Sequence, residues 1–292
     1  MEVTKRQAWI YAIRLKTLTV AFISVLVGSA LAWSPDFSWG IALLMLICAF
    51  LIQIGANLIN DAADAKTGVD TKERIGFPRA TQMGWLSYTE VHRAGLFCFA
   101  AAFVCGIPLI IHGGWIILVL LILSIAAAYG YTEGPYPLAY NGLGEVFVIV
   151  FFGFVCTSVP YYLQMGEFND QTWLAGAQTG LLATVLIAIN NARDIQADRR
   201  VKKRTLAAQL GILFAKLEIV VCLFIPLLAT PLWGFLGRPV AAFLPISLFP
   251  LATVIANGIM HHPPGKIYNN YFVLSAIYHL VFGLLLTIGI LL

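Results

Sequence analysis

The sequence predicts an all-α, polytopic membrane protein: about nine transmembrane helices around a central cavity that opens to the cytoplasmic side. Three observations carry that expectation. Of 292 residues, 60% are hydrophobic and only 11% charged, with a mean hydropathy of +0.86, which excludes an ordinary soluble domain. Windows of about twenty apolar residues recur, the length that crosses a hydrocarbon core of about 30 Å. Lys and Arg gather on alternate connections, as membrane insertion requires. Residues 1–292 are expected to form a single membrane domain.

The first window, 8–33, follows a polar or mixed stretch without a cleavage-like small-residue site, so no cleaved signal peptide is predicted. The second, 39–60, runs into the string NLINDAAD. Windows three and four, 89–111 and 114–131, are separated by little more than His112 and Gly113. The fifth, 142–163, follows a Gly- and Pro-containing turn, and the sixth, 173–191, ends in NNARDIQAD. Windows 206–228, 239–260 and 271–291 complete the set.

Charge placement orients it. With the N-terminus in the cytoplasm, the connections after windows two, four, six and eight face inward, and every Lys and Arg except Arg238 falls on or near that side. Both acidic strings lie there too. A bacterial inner membrane with a cytoplasmic N-terminus is the expected location. The net charge of +4 sits beside the membrane, which suits anionic headgroups or an anionic substrate; no nucleic-acid motif is present. The five cysteines show no CxxC or Cys/His spacing, so disulfides and zinc are not expected. Nothing in the sequence sets an oligomeric state.

Carboxylates at the edge of apolar segments are costly, roughly 2.5–3.5 kcal/mol each at membrane depth, and are kept for chemistry or ion transit. Asn57, Asp61 and Asp64 are spaced by four and three, and Asn190, Asp194 and Asp198 by four and four, so each set projects from one helical face. The two strings form a faint internal echo, Asn57 to Asp61 against Asn190 to Asp194. If they meet, Asp61, Asp64, Asp194 and Asp198 make an all-oxygen site suited to Mg2+, which prefers to share phosphate oxygens with a few carboxylates. Basic residues stand close by: Lys66, Lys72, Arg74 and Arg79 after the first string, Lys203 and Arg204 after the second. A diphosphate held between Mg2+ and basic side chains needs both signs together; a solvated loop would carry a similar mixture.

These strings, with RLKTLTVAF, DTKERIGFPRATQMG and YTEGPYPLAYNGLGEVFVIVFFG, resemble the UbiA superfamily of intramembrane prenyltransferases over essentially the whole chain. Within it they are most similar to the 1,4-dihydroxy-2-naphthoate polyprenyltransferases of menaquinone synthesis. The chain departs from that group at Leu15, where Pro is usual, at Glu133, where a small or polar residue is commoner, and at Lys202, where Gly is usual. The resemblance implies a Mg2+-dependent transfer of a polyprenyl chain from an allylic polyprenyl diphosphate to 1,4-dihydroxy-2-naphthoate, with loss of CO2 and diphosphate, in the lipid bilayer. It implies that Asn57, Asp61, Asp64, Asp194 and Asp198 hold the Mg2+-diphosphate, assisted by Asn190 or Asn191, with Arg74 and Arg79 as phosphate clamps.

Arg14 and Lys16 are candidates to orient the acceptor carboxylate, or else anchor the first span in headgroups. Tyr131 and Tyr136, flanking the Gly134–Pro135 turn, either stack on the acceptor or lie at the interface. Glu145 either accepts a proton from the acceptor hydroxyl or stabilises a helix N-terminus. Prenylation of 4-hydroxybenzoate is the nearest alternative activity. A cation-coupled transporter is the rival from another class, since paired acidic motifs and pseudo-repeats also mark carriers; there, however, the acidic groups belong near the bilayer middle.

Overall fold

The computed structural model describes residues 3–67 and 75–292, and among the described residues all regular structure is helical. In chain order the helices are α1 (Lys5–Ile13), α2 (Leu15–Leu31), α3 (Trp39–Thr67), α4 (Tyr88–Gly113), α5 (Trp115–Gly130), α6 (Gly144–Val148), α7 (Cys156–Met165), α8 (Asp170–Arg200), α9 (Leu206–Leu210), α10 (Ile212–Leu228), α11 (Leu232–Phe235), α12 (Pro239–Phe243), α13 (Phe249–His261) and α14 (Tyr268–Leu291). A π-helical segment, Ile149–Val155, joins α6 to α7 into one span. Seven helical segments among the described residues are long and apolar enough to cross a membrane. The pair α1 and α2, bent by 43°, makes an eighth when counted as one span, and α5 is a shorter apolar helix. The nine windows thus all have helical counterparts, with the first one broken.

That break falls at Arg14, whose φ of 56° puts a non-glycine residue in the left-handed region, at a cost of about 1–2 kcal/mol. Both acid-bearing windows end too early in the sequence reading. α3 runs on to Thr67 and α8 to Arg200, so NLINDAAD and NNARDIQAD are the last turns of long helices. At 31 residues, α8 spans about 46 Å, beyond the hydrocarbon thickness.

α8 is the central element, packed by α2, α10, α14 and the π segment. The main core joins Ile23, Ile189, Ile219 and Phe282, all fully buried. A second cluster joins α2, α3, α4 and α7, and a third seats α1 and the turn after Arg79 on α3 and α4 through Ala8, Leu58, Ala80 and Val91. Where the π segment crosses α8, backbone meets backbone: a Cβ on Gly153 would lie 2.5 Å from the Gly176 carbonyl oxygen. Several buried polar side chains find partners within the bundle, as a membrane interior favours. Trp233 donates to Gln178 at 2.8 Å, and Gln178 donates to the Pro226 carbonyl at 2.8 Å.

Candidate active site

The polar C-terminal ends of α3 and α8 face each other across one cavity. On α3, Asn57, Asn60 and Asp64 follow i, i+3, i+7 and share one stripe. Asn57 donates to the Ile13 carbonyl and the Thr17 hydroxyl, each at 2.9 Å, and so holds the α1–α2 break. Asn60 accepts from the Arg14 guanidinium at 2.5 Å. Asp64 accepts from the Tyr140 hydroxyl at 3.0 Å on one oxygen and lies 3.6 Å from Arg79 on the other. Asp61 is turned to the edge of the stripe. It is fully buried and accepts from the backbone N–H groups of Ala80 and Thr81 at 3.1 and 3.3 Å and from the Thr81 hydroxyl at 2.5 Å.

On α8, Asp194 takes a bidentate contact from the neighbouring Arg193, at 2.8 and 2.6 Å. Arg193 also donates to Asn269 at 2.7 Å, and Asn269 donates to the Ile75 carbonyl at 3.0 Å. Asp198 is buried, 3.6 Å from Lys203. Lys203 in turn lies 5.3 Å from the centre of the Tyr140 ring. Asp64, Asp194 and Asp198 therefore each have a cationic neighbour, an arrangement that lowers the desolvation cost of both signs. Asn191 donates to Glu145 at 2.7 Å.

These residues line a cavity of about 860 Å³ walled by Asn60, Asp64, Arg79, Asn190, Asn191, Arg193, Asp194, Asp198 and Lys203. A second, apolar cavity of about 260 Å³ runs between α2, α3, α5, the π segment and α8, walled by Ile117, Leu121, Phe147, Phe151, Val155 and Leu186 among others. Along α5 its lining extends from Tyr131 to Ile117, roughly 21 Å of helix. The two cavities meet: Arg14, Asn60, Tyr131, Ile187 and Asn190 border both.

The structure thus brings Asp64, Asp194, Asp198, Asn190, Asn191, Arg14, Arg79, Lys203 and Tyr131 together. Other candidate residues lie elsewhere. Asp61 borders neither cavity, because its oxygens are turned to the 80–81 backbone. Asn57 borders the apolar cavity instead of the polar one. The echo of the two strings is accordingly Asn60 to Asp64 against Asn190 to Asp194. Lys16 stands outside both cavities over the Phe77 ring at 4.7 Å, Tyr136 is 60% exposed, and the Arg204 side chain points out while its backbone N–H caps Tyr140. Glu145 sits behind Asn191, away from both linings. Glu133 is bound to His92 at 3.0 Å and borders neither cavity. Lys72 and Arg74 lie outside the described residues.

Asn60, Tyr140, Arg193 and Asn269 belong to the site without having been singled out in the sequence. Asn60 carried a signal, since it precedes Asp64 by the same four residues that separate Asn190 from Asp194. Asn269 carried none.

Among the described residues no three His, Cys, Asp or Glu side chains converge tightly enough to form a metal site by themselves. The donors are oxygens spread around a roomy cavity, which fits Mg2+ shared with water and phosphate better than a closed protein cage.

Known proteins give the same picture. The chain is 40% identical over 217 residues to the 1,4-dihydroxy-2-naphthoate octaprenyltransferase of Escherichia coli (strain K12), covering 72% of this chain and 70% of that protein. It is 35% identical over 248 residues to the enzyme of the same name from Mycobacterium tuberculosis, covering 80% and 83%. The fold matches a UbiA homolog from Aeropyrum pernix K1 with a TM-score of 0.70 at 18% identity, over 95% of this chain and 97% of that one. It also matches a UbiA homolog from Archaeoglobus fulgidus bound to DMAPP and Mg2+, with a TM-score of 0.64 at 14% identity, over 96% and 99%. Residues 21–287 match the UbiA prenyltransferase family, and with helices, motifs and relatives in agreement, the chain is a membrane-embedded enzyme of that family.

Proposed function

We propose that this enzyme transfers a polyprenyl chain from an allylic polyprenyl diphosphate to 1,4-dihydroxy-2-naphthoate, releasing diphosphate and CO2 on the path to menaquinone. The observation that carries this reading is the junction of the two cavities at Arg14, Asn60, Tyr131, Ile187 and Asn190. A diphosphate ester of a long hydrocarbon has one highly charged end and one wholly apolar end, and the two cavities offer each its own solvent. The naphthoate acceptor is the named substrate of relatives up to 40% identical.

Asp64, Asp194 and Asp198, with Asn60 and Asn190 beside them, are the residues that would hold Mg2+. Bound there, the ion supplies positive charge to the oxygens of the departing diphosphate. Arg79 and Lys203 supply further charge from the protein, and such charge acts more strongly as the C–O bond breaks than before it. Tyr131, on the boundary, presents a ring to the allylic carbon and excludes water from it. Arg14, with Nη2 on Asn60 and Nε buried without a partner, has an unspent donor for the acceptor carboxylate. The new C–C bond forms at the ring carbon that bears that carboxylate; the C–CO2 bond breaks, and its electron pair restores the aromatic ring. Asn191, held by Glu145, is placed to bond an acceptor hydroxyl. We assign the polar mouth to the cytoplasmic face of a bacterial inner membrane, with the N-terminus on that side.

The test is purified protein in detergent or lipid with MgCl2, a polyprenyl diphosphate, and either 1,4-dihydroxy-2-naphthoate or 4-hydroxybenzoate, with products and CO2 identified by mass. Prenylated, decarboxylated naphthalene is expected. Turnover of 4-hydroxybenzoate alone would overturn the acceptor assignment.

A further inference from the structure

Asp61 is the most deeply buried carboxylate near the site, and it touches neither cavity. A carboxylate shut away from water is tolerated only when donors converge on it. Three do, and all belong to one short turn: the N–H groups of Ala80 and Thr81 and the Thr81 hydroxyl. The turn is otherwise closed on itself, with Met83 and Gly84 donating to the Arg79 and Thr81 carbonyls and Trp85 to that of Ala80. Ala80, fully buried, wedges it against Leu58, Ala62 and Leu86. The residue directly before the two captured amides is Arg79, which reaches back across α3 to Asp64. One helical turn of α3 therefore holds the base of the Arg79 arm at Asp61 and meets its tip at Asp64.

We propose that Asp61 is a positioning residue: by capturing the Ala80 and Thr81 amides it fixes how far the Arg79 guanidinium extends into the polar cavity, and so sets affinity for the donor's diphosphate without touching donor or metal. This rests on the reading of that cavity as the diphosphate site. The position calls for an acceptor-only group, because an Asn in place of Asp61 would turn an NH2 toward one of three donors.

Four variants, Asp61→Asn, Thr81→Val, Arg79→Ala and Asp64→Asn, together with the double variant of Asp61→Asn and Arg79→Ala, test it. The assay varies polyprenyl diphosphate, naphthoate and MgCl2 separately, and calorimetry with inorganic diphosphate and MgCl2 gives a readout that needs no turnover. Asp61→Asn is expected to raise the donor KM and weaken diphosphate binding about tenfold, leaving the naphthoate KM and half-saturating Mg2+ within about twofold. Thr81→Val, which keeps the carboxylate and loses one neutral donor, should do the same about threefold. The double variant should be no worse than Arg79→Ala alone, because Asp61 acts only through that arm.

A rise in half-saturating Mg2+ for Asp61→Asn equal to that for Asp64→Asn would make Asp61 a metal ligand and overturn the proposal. Additive losses in the double variant overturn it too. If Asp61→Asn does not insert, Thr81→Val decides, and an unchanged donor KM there rejects the proposal. An Arg79→Ala protein with normal donor KM and normal diphosphate binding removes the diphosphate reading itself, and this proposal with it. An impaired Arg79→Ala protein beside a normal Asp61→Asn protein removes only the proposal.

Discussion

Tyr140 donates its hydroxyl to Asp64 at 3.0 Å while its ring carries the Lys203 ammonium at 5.3 Å. One side chain from the segment between α5 and α6 thus meets the first acidic motif directly and the second through Lys203, which pairs with Asp198. Its own carbonyl is capped by the Arg204 amide at 3.0 Å, so the loop and the end of α8 are tied together. Tyr140→Phe keeps the ring and its cation contact and removes only the bond to Asp64. We expect kcat/KM to fall roughly tenfold, the worth of a hydrogen bond to a charged group, with expression and membrane insertion unchanged. Wild-type kinetics would show that the hydroxyl does not orient Asp64.

The three cavity carboxylates are predicted to be the metal-dependent ones. Asp64→Asn and Asp194→Asn should each lower turnover roughly a hundredfold or more, the scale on which removing transition-state charge stabilisation acts, and EDTA should abolish activity that MgCl2 restores. Asp194→Asn carries an added cost, because it strips the buried Arg193 of a bidentate partner. Thermal stability should therefore drop in Asp194→Asn more than in Asp64→Asn. Full turnover by either variant in chelator would end the metal-dependent reading.

Hydropathy made the fold legible, because nothing but membrane burial accounts for so many apolar windows. The carboxylates Asp64, Asp194 and Asp198 stood out for the same reason, as costly exceptions. The windows ended where polar residues began, whereas α3 and α8 continue to Thr67 and Arg200, since a helix needs no apolar residues once one face of it lines a polar cavity. The phase of the first motif was ambiguous: Asn57 and Asn60 lie three apart, and either starts a helical stripe. The Arg14 break had no Gly or Pro to announce it. Tyr140 and Asn269 matter through contacts 76 and 194 residues distant in the chain, which local pattern does not encode.

Glu133 gives a pH-dependent prediction at the rim. Burial raises its pKa, but hydrogen bonds from His92 and Tyr129 outweigh burial and leave it below the usual 4.5. A depressed carboxylate contributes stability that is present above its unfolded pKa and lost as pH falls through the folded value. Glu133→Gln should therefore lower the apparent Tm by about 2 °C at pH 7. The difference from wild type should shrink as pH drops below 4.5. A constant offset down to pH 3 would mean that packing rather than charge is responsible.

Orientation is open to labelling. In a background lacking the five cysteines, Lys202→Cys should react with an impermeant maleimide only from the cytoplasmic side and Asp170→Cys only from outside. The helix between them is long enough to place its ends in opposite aqueous phases. Labelling of both from one side would refute the nine-span arrangement.

Arg14 and Arg79 divide the charge recognition in this reading, one at the boundary of the two cavities and one at the acid cluster. Arg14 is held in a left-handed conformation that costs energy, and strain of that kind is retained where geometry matters. Its guanidinium is fixed by Asn60 at 2.5 Å, with Nε still buried and unpartnered. A carboxylate on the acceptor would satisfy that atom; the diphosphate already has Arg79 and Lys203. Arg14→Ala is therefore expected to raise the naphthoate KM by roughly ten- to a hundredfold if binding is near equilibrium, with the donor KM within about threefold. Arg14→Lys should recover part of the loss, because the charge returns without the planar fork. Equal impairment of both substrates by Arg14→Ala would mean that the residue holds the α1–α2 bend rather than the acceptor.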